Sequence, residues 1–262
     1  MIHAAKMIVT DLDGTLLRSD KTISEKTRSI LRRCREAGLK VVYATGRGGS
    51  AERVTSGVVF DAGITMNGAV AKISGRVIYN RLIPYRIARP ILTACHNRGM
   101  NMTSEISGMH YSNFVVSDIW PRITNYEIID FSQHKADAEK IYTPNPAPED
   151  ISFIVQQLPA ELYFVVTADA AGFLGQIMHR DATKAKAVAA AGRCWGILPQ
   201  EIVAFGDDLN DIDMLSYAGT GVAMENAVDE VKAAADHICL HNDEDGLAKW
   251  IEEYLFEPEN TM

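Results

Sequence analysis

The feature that most limits the possible folds is a short apolar run leading directly into two aspartates. Met7 to Val9 are apolar, as in a strand buried on both faces of a parallel sheet, and Asp11 and Asp13 follow Thr10. Buried strands rarely end in two uncompensated charges, because removing a carboxylate from water costs much free energy. One carboxylate can attack a substrate while the other transfers protons, provided that a cation neutralises their repulsion. The alternative is a polar strand end covered by a surface loop.

Composition and charge narrow the classes of function. The chain has 262 residues, of which 47% are hydrophobic and 23% are charged, as is ordinary for a globular protein. The net charge of −8 argues against nucleic-acid binding and against a basic membrane-binding patch. No apolar run approaches the ~18 residues of a membrane span. An anionic substrate would therefore need a local positive centre, such as a metal ion or a few placed basic side chains.

The cysteines and the N-terminus indicate the compartment. The four cysteines are scattered without a C-x-x-C pair, so we expect small buried hydrophobic residues in a reducing environment: Cys34, Cys95, Cys194 and Cys239. No signal-peptide pattern precedes the first strand. These two observations predict a cytoplasmic protein.

The order of the predicted elements indicates two domains. Strands and helices alternate in a β-α-β rhythm over 1–80 and again over 182–262. Between them, 81–181 follows an αββ pattern whose apolar residues stay periodic, which is typical of an inserted domain rather than a linker. Ser24 is predicted to begin a helix that ends near Gly38, and Ser74-Gly75 to join the strands of a hairpin.

Polar clusters follow three of the predicted parallel strands. Their members are Asp11 and Asp13, Thr45, and Asp207, Asp208 and Asp211. Ligands bind at the carboxyl edge of an open α/β sheet, so these residues are expected to meet there. Several carboxylates in one cleft need a cation, and oxygen ligands favour Mg²⁺, which often shares phosphate oxygens. Thr45 and Asn210 would supply hydrogen bonds, and Lys184 would supply positive charge for a phosphoryl group.

Four sequence motifs resemble those of the haloacid dehalogenase superfamily in type and order. They are Asp11-Leu12-Asp13-Gly14-Thr15, Ala44-Thr45-Gly46-Arg47, Thr183-Lys184, and the run from Gly206 to Leu215 that contains Asp207, Asn210 and Asp211. The insertion between the second and third motifs resembles the Cof-like phosphatases with a type IIB cap. This likeness implies an α/β fold, with a doubly wound parallel-sheet core and an inserted α+β cap that sets substrate specificity.

The resemblance also implies roles for individual residues. Asp11 would be the nucleophile and Asp13 the general acid and base, and the presence of Asp13 points to phosphoryl transfer rather than dehalogenation. Mg²⁺ would be held by Asp11, Asp13 (through its backbone carbonyl) and Asp207, with Asp211 supporting. The phosphoryl group would be bound by Leu12 (through its backbone N–H), Thr45, Gly46, Lys184 and Asn210. The family usually has glycine after the lysine, where this chain has Ala185, and the lysine chemistry is expected to stay intact.

The function expected is Mg²⁺-dependent hydrolysis of a small phosphomonoester through an aspartyl-phosphate. A sugar phosphate is the first expectation for the substrate, and a cofactor phosphate the second. A phosphomutase of hexose phosphates would use the same residues, and a non-catalytic phosphometabolite-binding protein is the other alternative. We expect a monomer or a small homo-oligomer that acts on a small phosphorylated metabolite.

Some polar residues allow two interpretations. Arg47 could face the inserted domain or pair with a carboxylate. His110, His179 and Arg180 lie near predicted hairpins, where surface placement is favoured over substrate contact. Gly46, Gly48 and Ala51 match a dinucleotide-binding pattern only loosely, and the phosphatase interpretation already explains Gly46.

Overall fold

The computed structural model describes residues 5–169 and 171–256. The chain divides into two compact units: the first comprises the residues before Arg81 and after Ala182, and the second runs from Arg81 to Ala182. Strands and helices are numbered below in chain order across both units. No helix among the described residues is long and apolar enough to cross a membrane.

An eight-stranded sheet forms the centre of the first unit. Its strands are β1 (Met7–Thr10), β2 (Lys40–Ala44), β3 (Ala62–Thr65), β4 (Val70–Ile73), β5 (Arg76–Asn80), β12 (Ile202–Gly206), β13 (Thr220–Met224) and β14 (His237–Cys239). The spatial order is β14-β13-β12-β1-β2-β3-β4-β5. Neighbours from β14 to β3 are parallel, whereas β4 and β5 are antiparallel additions at one edge. The strand that carries the first motif thus lies inside the sheet, with a parallel neighbour on each side.

Helices cover both faces of this sheet. They are α1 (Glu25–Glu36), α2 (Ala51–Val54), α5 (Lys184–Trp195), α6 (Ile212–Tyr217), α7 (Asp229–Ala234) and α8 (Gly246–Ile251). Alternate strand residues point to opposite faces, so Ile8 packs with α1 and α8, and Val9 packs with α5, α6 and α7. Both faces of the parallel strands are therefore buried, which confirms the doubly wound α/β core.

Local sequence signals account for several element boundaries. The hydroxyl of Ser24 accepts a hydrogen bond from the backbone N–H of Thr27 at 3.0 Å and caps α1. Gly38 has a φ of +88°, a left-handed conformation that ends the helix region at little steric cost. Ser74 and Gly75 both have positive φ, as the two-residue turn between β4 and β5 requires.

The second unit is a six-stranded sheet with two helices. Its elements are α3 (Tyr85–Asn97), β6 (Thr103–Ile106), β7 (Met109–Ser112), β8 (Tyr126–Ile128), β9 (Lys140–Pro144), α4 (Pro148–Gln157), β10 (Leu162–Asp169) and β11 (Gly172–His179). The order is β10-β11-β9-β6-β7-β8, and among these described strands only β7 and β8 pair in parallel. Its own hydrophobic core includes Leu92, Ile141 and Ile177. A mainly antiparallel sheet whose helices share one hydrophobic core with it is an α+β arrangement.

Some details of this unit differ from the sequence-based expectation. Strands β8 and β9 are not predicted from the sequence, because β8 has only three residues and the prolines that begin at the end of β9 indicate a loop. Strand β6 begins at Thr103, so the apolar and buried residues Met100 and Met102 lie in the segment before the strand rather than in it.

Two expectations about burial are wrong. Cys194 is exposed near the end of α5, whereas Cys34, Cys95 and Cys239 are buried; all four are free thiols. His110 is buried rather than on the surface, because its strand lies inside the sheet and its Nδ1 is hydrogen-bonded to the Tyr142 hydroxyl at 2.9 Å.

Candidate active site

The loops that follow β1, β2 and β12 lie together at the carboxyl edge of the first sheet. These strands are parallel neighbours, so Asp11, Thr45 and Asp207 each follow a strand that ends at the same edge. The backbone N–H of Asp11 donates to the carbonyl of Phe205 at 3.0 Å, which ties the first motif to β12. Residues nearly 200 positions apart in the sequence are thereby brought to one place.

Lys184 connects two of the carboxylates. It is the first residue of α5, and the hydroxyl of Thr183 caps that helix. Its Nζ lies 2.6 Å from Oδ1 of Asp11 and 2.5 Å from Oδ1 of Asp211, and its side chain is completely buried. Ala185, in place of the usual glycine, does not prevent this contact. A buried ammonium with two carboxylate partners is a fixed positive centre rather than a solvated helix-end lysine.

Backbone and hydroxyl donors hold the other carboxylates. The Thr15 hydroxyl donates to Oδ1 of Asp207 at 2.6 Å. The backbone N–H groups of Asp207 and Asp208 both donate to Oδ2 of Asp211 at 3.1 Å. Gly14 is packed so closely against Asp207 that an added Cβ would overlap its carboxylate. The glycine of the first motif is therefore required by space as well as by its positive φ.

Burial dominates the electrostatics of the site. It disfavours the carboxylate form and raises the pKa of Asp11 to about 8, although the Lys184 ammonium acts in the opposite direction. It also raises the pKa of Asp207 to about 7, against the hydrogen bond from Thr15. Burial likewise disfavours the Lys184 ammonium, but attraction to Asp11 and Asp211 outweighs this and raises the pKa of the lysine. Lys184 alone is therefore too little positive charge to keep all the carboxylates of this site ionised near neutral pH.

The donor set fits a hard divalent cation. Asp11, Asp207 and Asp211 each offer a carboxylate oxygen, and these oxygens lie within 4.8 Å of one another. One ammonium accompanies these three carboxyl groups, so full ionisation would leave two formal negative charges for a cation to balance. Oxygen-only ligands with excess negative charge suit Mg²⁺ better than softer metals.

Asp13 has different partners from Asp11. Its carboxylate accepts hydrogen bonds from Nε and Nη2 of Arg47, the latter at 2.6 Å, and from Nζ of Lys21 at 3.0 Å. Partial burial opposes ionisation of Asp13, but the hydrogen bonds from Arg47 and Lys21 outweigh it and lower its pKa. Of the two interpretations of Arg47, the structure shows pairing with a carboxylate. The two aspartates of the first motif thus have opposite environments.

The phosphoryl-binding candidates lie in the loops around this centre. Leu12 and Thr45 are buried, and the Thr45 hydroxyl accepts a hydrogen bond from the backbone N–H of Arg47 at 3.1 Å. Gly46 lies so close to the amide of Asn67 that an added Cβ would be 2.8 Å from Oδ1 of Asn67. Asn210 is exposed and donates through Nδ2 to Oδ1 of Asn67 at 2.9 Å. The structure gives no direct contact between Asn210 and the carboxylate cluster.

Three residues that contact the site were not predicted to bind the metal or the phosphoryl group. Thr15 lies in the first motif, and Lys21 lies outside all four motifs. Asn67 follows β3 at the edge where the other motifs gather. Its position after a predicted strand, in an Asn-Gly pair, was the one signal that could have identified it.

Several other candidates have structural partners outside this site. Nδ1 of His179 accepts a hydrogen bond from the backbone N–H of Asp181, and Arg180 donates to the carbonyl of Ala160 at 2.7 Å. The helix after Gly46 and Gly48 is only four residues long, which is short for a dinucleotide-binding helix.

Comparison with known proteins extends over nearly the whole chain. The sequence profile of the haloacid dehalogenase-like hydrolases matches residues 8–251. The 5-amino-6-(5-phospho-D-ribitylamino)uracil phosphatase YitU of Bacillus subtilis is 27% identical over 267 residues, covering 95% of this chain and 97% of YitU. YcsE, a second 5-amino-6-(5-phospho-D-ribitylamino)uracil phosphatase of Bacillus subtilis, is 29% identical over 259 residues, covering 95% of this chain and 96% of YcsE.

Solved structures of similar proteins also align over nearly the whole chain. TM0651 from Thermotoga maritima aligns with a TM-score of 0.84 at 26% identity, covering 97% of this chain and 98% of that protein. The subclass IIB sugar phosphatase BT4131 aligns with a TM-score of 0.79 at 27% identity, covering 95% and 99%.

The fold is that of a haloacid dehalogenase-type hydrolase, and the chain belongs to the haloacid dehalogenase-like hydrolases. Within that family, its relatives are Cof-like phosphatases of subclass IIB. The resemblance drawn from the four motifs is thereby confirmed, and the protein is a phosphatase-type enzyme.

Proposed function

We propose that the protein is a Mg²⁺-dependent phosphatase that hydrolyses a small phosphomonoester through a phosphorylated Asp11. The observation that carries the proposal is the position of Asp11. It is buried at the end of β1, bonded to Lys184, and within 4.8 Å of carboxylate oxygens of Asp207 and Asp211. No other arrangement of acidic side chains among the described residues groups three buried or half-buried carboxylates in this way.

In the first step an oxygen of Asp11 attacks phosphorus, and the bond between phosphorus and the leaving oxygen breaks. Lys184 orients the Asp11 carboxylate and partly offsets the effect of burial on its ionisation, and the lysine charge favours the incoming phosphoryl group. Asp13 donates a proton to the leaving oxygen. In the second step a water molecule attacks phosphorus, Asp13 takes its proton, and the bond to Asp11 breaks.

The ion pair of Asp13 bears on both steps. Arg47 and Lys21 hold its carboxylate ionised, which is the form needed to activate water in the second step. To act as an acid in the first step, the carboxyl must leave these cations and carry a proton. We therefore infer that Asp13 exchanges partners during the catalytic cycle.

Asp11, Asp207 and the backbone carbonyl of Asp13 would hold Mg²⁺, with Asp211 in support. When bound, the ion would neutralise charge between the carboxylates and the phosphoryl oxygens. Thr45, Gly46, Asn210 and the backbone N–H of Leu12 would bind the remaining phosphoryl oxygens.

Activity is expected to require Mg²⁺ and to depend strongly on Asp207. A panel of sugar phosphates, ribitol-type phosphates and an aryl phosphate should be hydrolysed with Mg²⁺ and not in excess chelator. Asp207→Ala removes a ligand and should lower activity at millimolar Mg²⁺ by at least about 100-fold. The matched control is Asp208→Ala, which removes the neighbouring exposed carboxylate and should keep activity within a few-fold. Full turnover in chelator would show that the carboxylate cluster has another purpose.

The substrate is proposed to be a phosphate ester of a polyhydroxylated metabolite. One structural relative is a sugar phosphatase, and two sequence relatives act on a phosphorylated ribityl compound. We propose that the inserted unit, 81–181, sets this preference, because the motifs in the first unit account for the phosphoryl group only.

Exchange of the inserted unit tests this assignment of specificity. A chimera that carries the corresponding segment of YitU should keep the Mg²⁺ requirement but change the ranking of substrates. An unchanged ranking would assign specificity to the first unit instead.

The four free cysteines support a reducing, cytoplasmic location as part of the same proposal.

A further inference from the structure

The turn that follows β3 has an unusual backbone. Met66, Asn67 and Gly68 have φ values of 52°, 52° and 96°, so three consecutive residues are left-handed. Asparagine and glycine adopt this conformation readily, but a bulky buried residue such as Met66 rarely does. Such a conformation persists only where the surrounding structure holds it, and it is found preferentially at functional sites.

Hydrogen bonds fix this turn to the second motif. The backbone N–H of Met66 donates to the carbonyl of Arg47, and that of Asn67 donates to the carbonyl of Thr45, both at 3.0 Å. A Cβ placed on Gly46 would lie 2.8 Å from Oδ1 of Asn67. The turn therefore packs against the loop proposed to bind the phosphoryl group.

The same turn also meets the third and fourth motifs. Gly68 is packed so closely against the backbone of Thr183 and Lys184 that any side chain there would overlap it. Oδ1 of Asn67 accepts the hydrogen bond from Nδ2 of Asn210 at 2.9 Å, across 143 positions of sequence. Three of the four motifs thus converge on residues 66–68.

We infer that Asn67 is a positioning residue for the phosphoryl group and acts by orienting the amide of Asn210. This inference rests on the proposed function. An amide nitrogen carries two hydrogens, so Asn210 can donate one to Asn67 and the other to a phosphoryl oxygen. The bond to Asn67 fixes the rotation of the Asn210 amide before the substrate arrives, which reduces the ordering cost of binding.

If Asn67 had a purely structural role, its substitution would lower stability rather than weaken phosphoryl binding. The bond joins half-buried Asn67 to exposed Asn210, and a neutral hydrogen bond in that setting adds little to stability. Glycine adopts the left-handed backbone at least as readily as asparagine. Asn67→Gly should therefore keep the fold and the turn while removing the acceptor for Asn210.

The experiment is a double-mutant cycle on Asn67→Gly and Asn210→Ala in the full-length protein with Mg²⁺. The readouts are kcat/KM for an aryl phosphate and inhibition by orthovanadate, which binds phosphoryl sites. Asn67→Gly should weaken the hydrogen bond from Asn210 to the charged phosphoryl group, which predicts an about 10-fold to 100-fold fall in kcat/KM and weaker vanadate inhibition. In the Asn210→Ala background, Asn67→Gly should have almost no further effect.

Asn145→Gly is the matched control, because Asn145 also has positive φ and its Oδ1 also accepts a hydrogen bond, from the backbone N–H of Phe173. It should leave vanadate inhibition unchanged. Unchanged vanadate inhibition in Asn67→Gly, or fully additive losses in the cycle, would overturn the inference while the phosphatase function stands. A wild-type protein that neither hydrolyses the aryl phosphate nor binds vanadate would overturn the proposed function and this inference together.

Discussion

Asp11→Asn is expected to abolish phosphatase turnover, with no phosphoprotein formed on mixing with substrate. The amide of asparagine is a poor nucleophile, and in this variant no other carboxylate takes the position of Asp11 to attack phosphorus. Asn is close in shape to Asp, and burial already disfavours the ionised form of Asp11, so folding should be preserved. Activity is measured with an aryl phosphate in the presence of Mg²⁺, and folding by the thermal unfolding midpoint.

Asp229→Asn is the matched control for this variant. Asp229 is an exposed carboxylate at the start of α7, outside the carboxylate cluster, so its loss should change turnover little. Retention of more than a few per cent of activity by Asp11→Asn, in a preparation free of wild-type enzyme, would contradict the role of Asp11.

Lys184→Met is expected to show the largest loss of stability among single substitutions in the site. Methionine fills much of the same volume but leaves Asp11 and Asp211 buried without their shared cation. Breaking a buried ion pair from one side typically costs about 3–5 kcal/mol. We expect a fall of that size in the free energy of unfolding, measured by denaturant titration at pH 8 in chelator, and a loss of activity with Mg²⁺.

Lys186→Met provides the comparison on the same helix. Lys186 is exposed, and substitution of a surface residue usually changes stability by no more than about 0.5 kcal/mol. Equal losses in the two variants would mean that Lys184 is not the main compensating charge of the cluster.

The core of the fold could be predicted because its signals are local. The apolar runs of β1, β2 and β12 are short and bounded by polar residues, and each ends at a motif. Parallel strands place those ends at one edge, so the gathering of Asp11, Thr45 and Asp207 followed from topology. Strand β9 was not predictable in the same way, because its place in the sheet depends on pairing with β6 and β11.

The partners of the site residues were harder to predict than the residues themselves. Nothing in the spacing shows that Arg47 pairs with Asp13, because they are 34 positions apart and each has other plausible uses. The burial of His110 likewise depends on Tyr142, which lies on a strand that the sequence pattern did not reveal. Long-range side-chain pairs are set by tertiary packing, and no local pattern encodes them.

The most direct test of the central claim is to locate the phosphoryl group in Asp13→Asn. Loss of the proton-transfer group should slow hydrolysis of the intermediate by about 10²–10⁴-fold, while attack on an aryl phosphate, whose leaving group needs little protonation, continues. Acid quenching followed by mass spectrometry should then find about one phosphoryl group per chain, attached to Asp11, together with a burst of about one equivalent of phenol. A phosphoryl group on any other residue, or a burst that survives Asp11→Asn, would contradict the proposed mechanism.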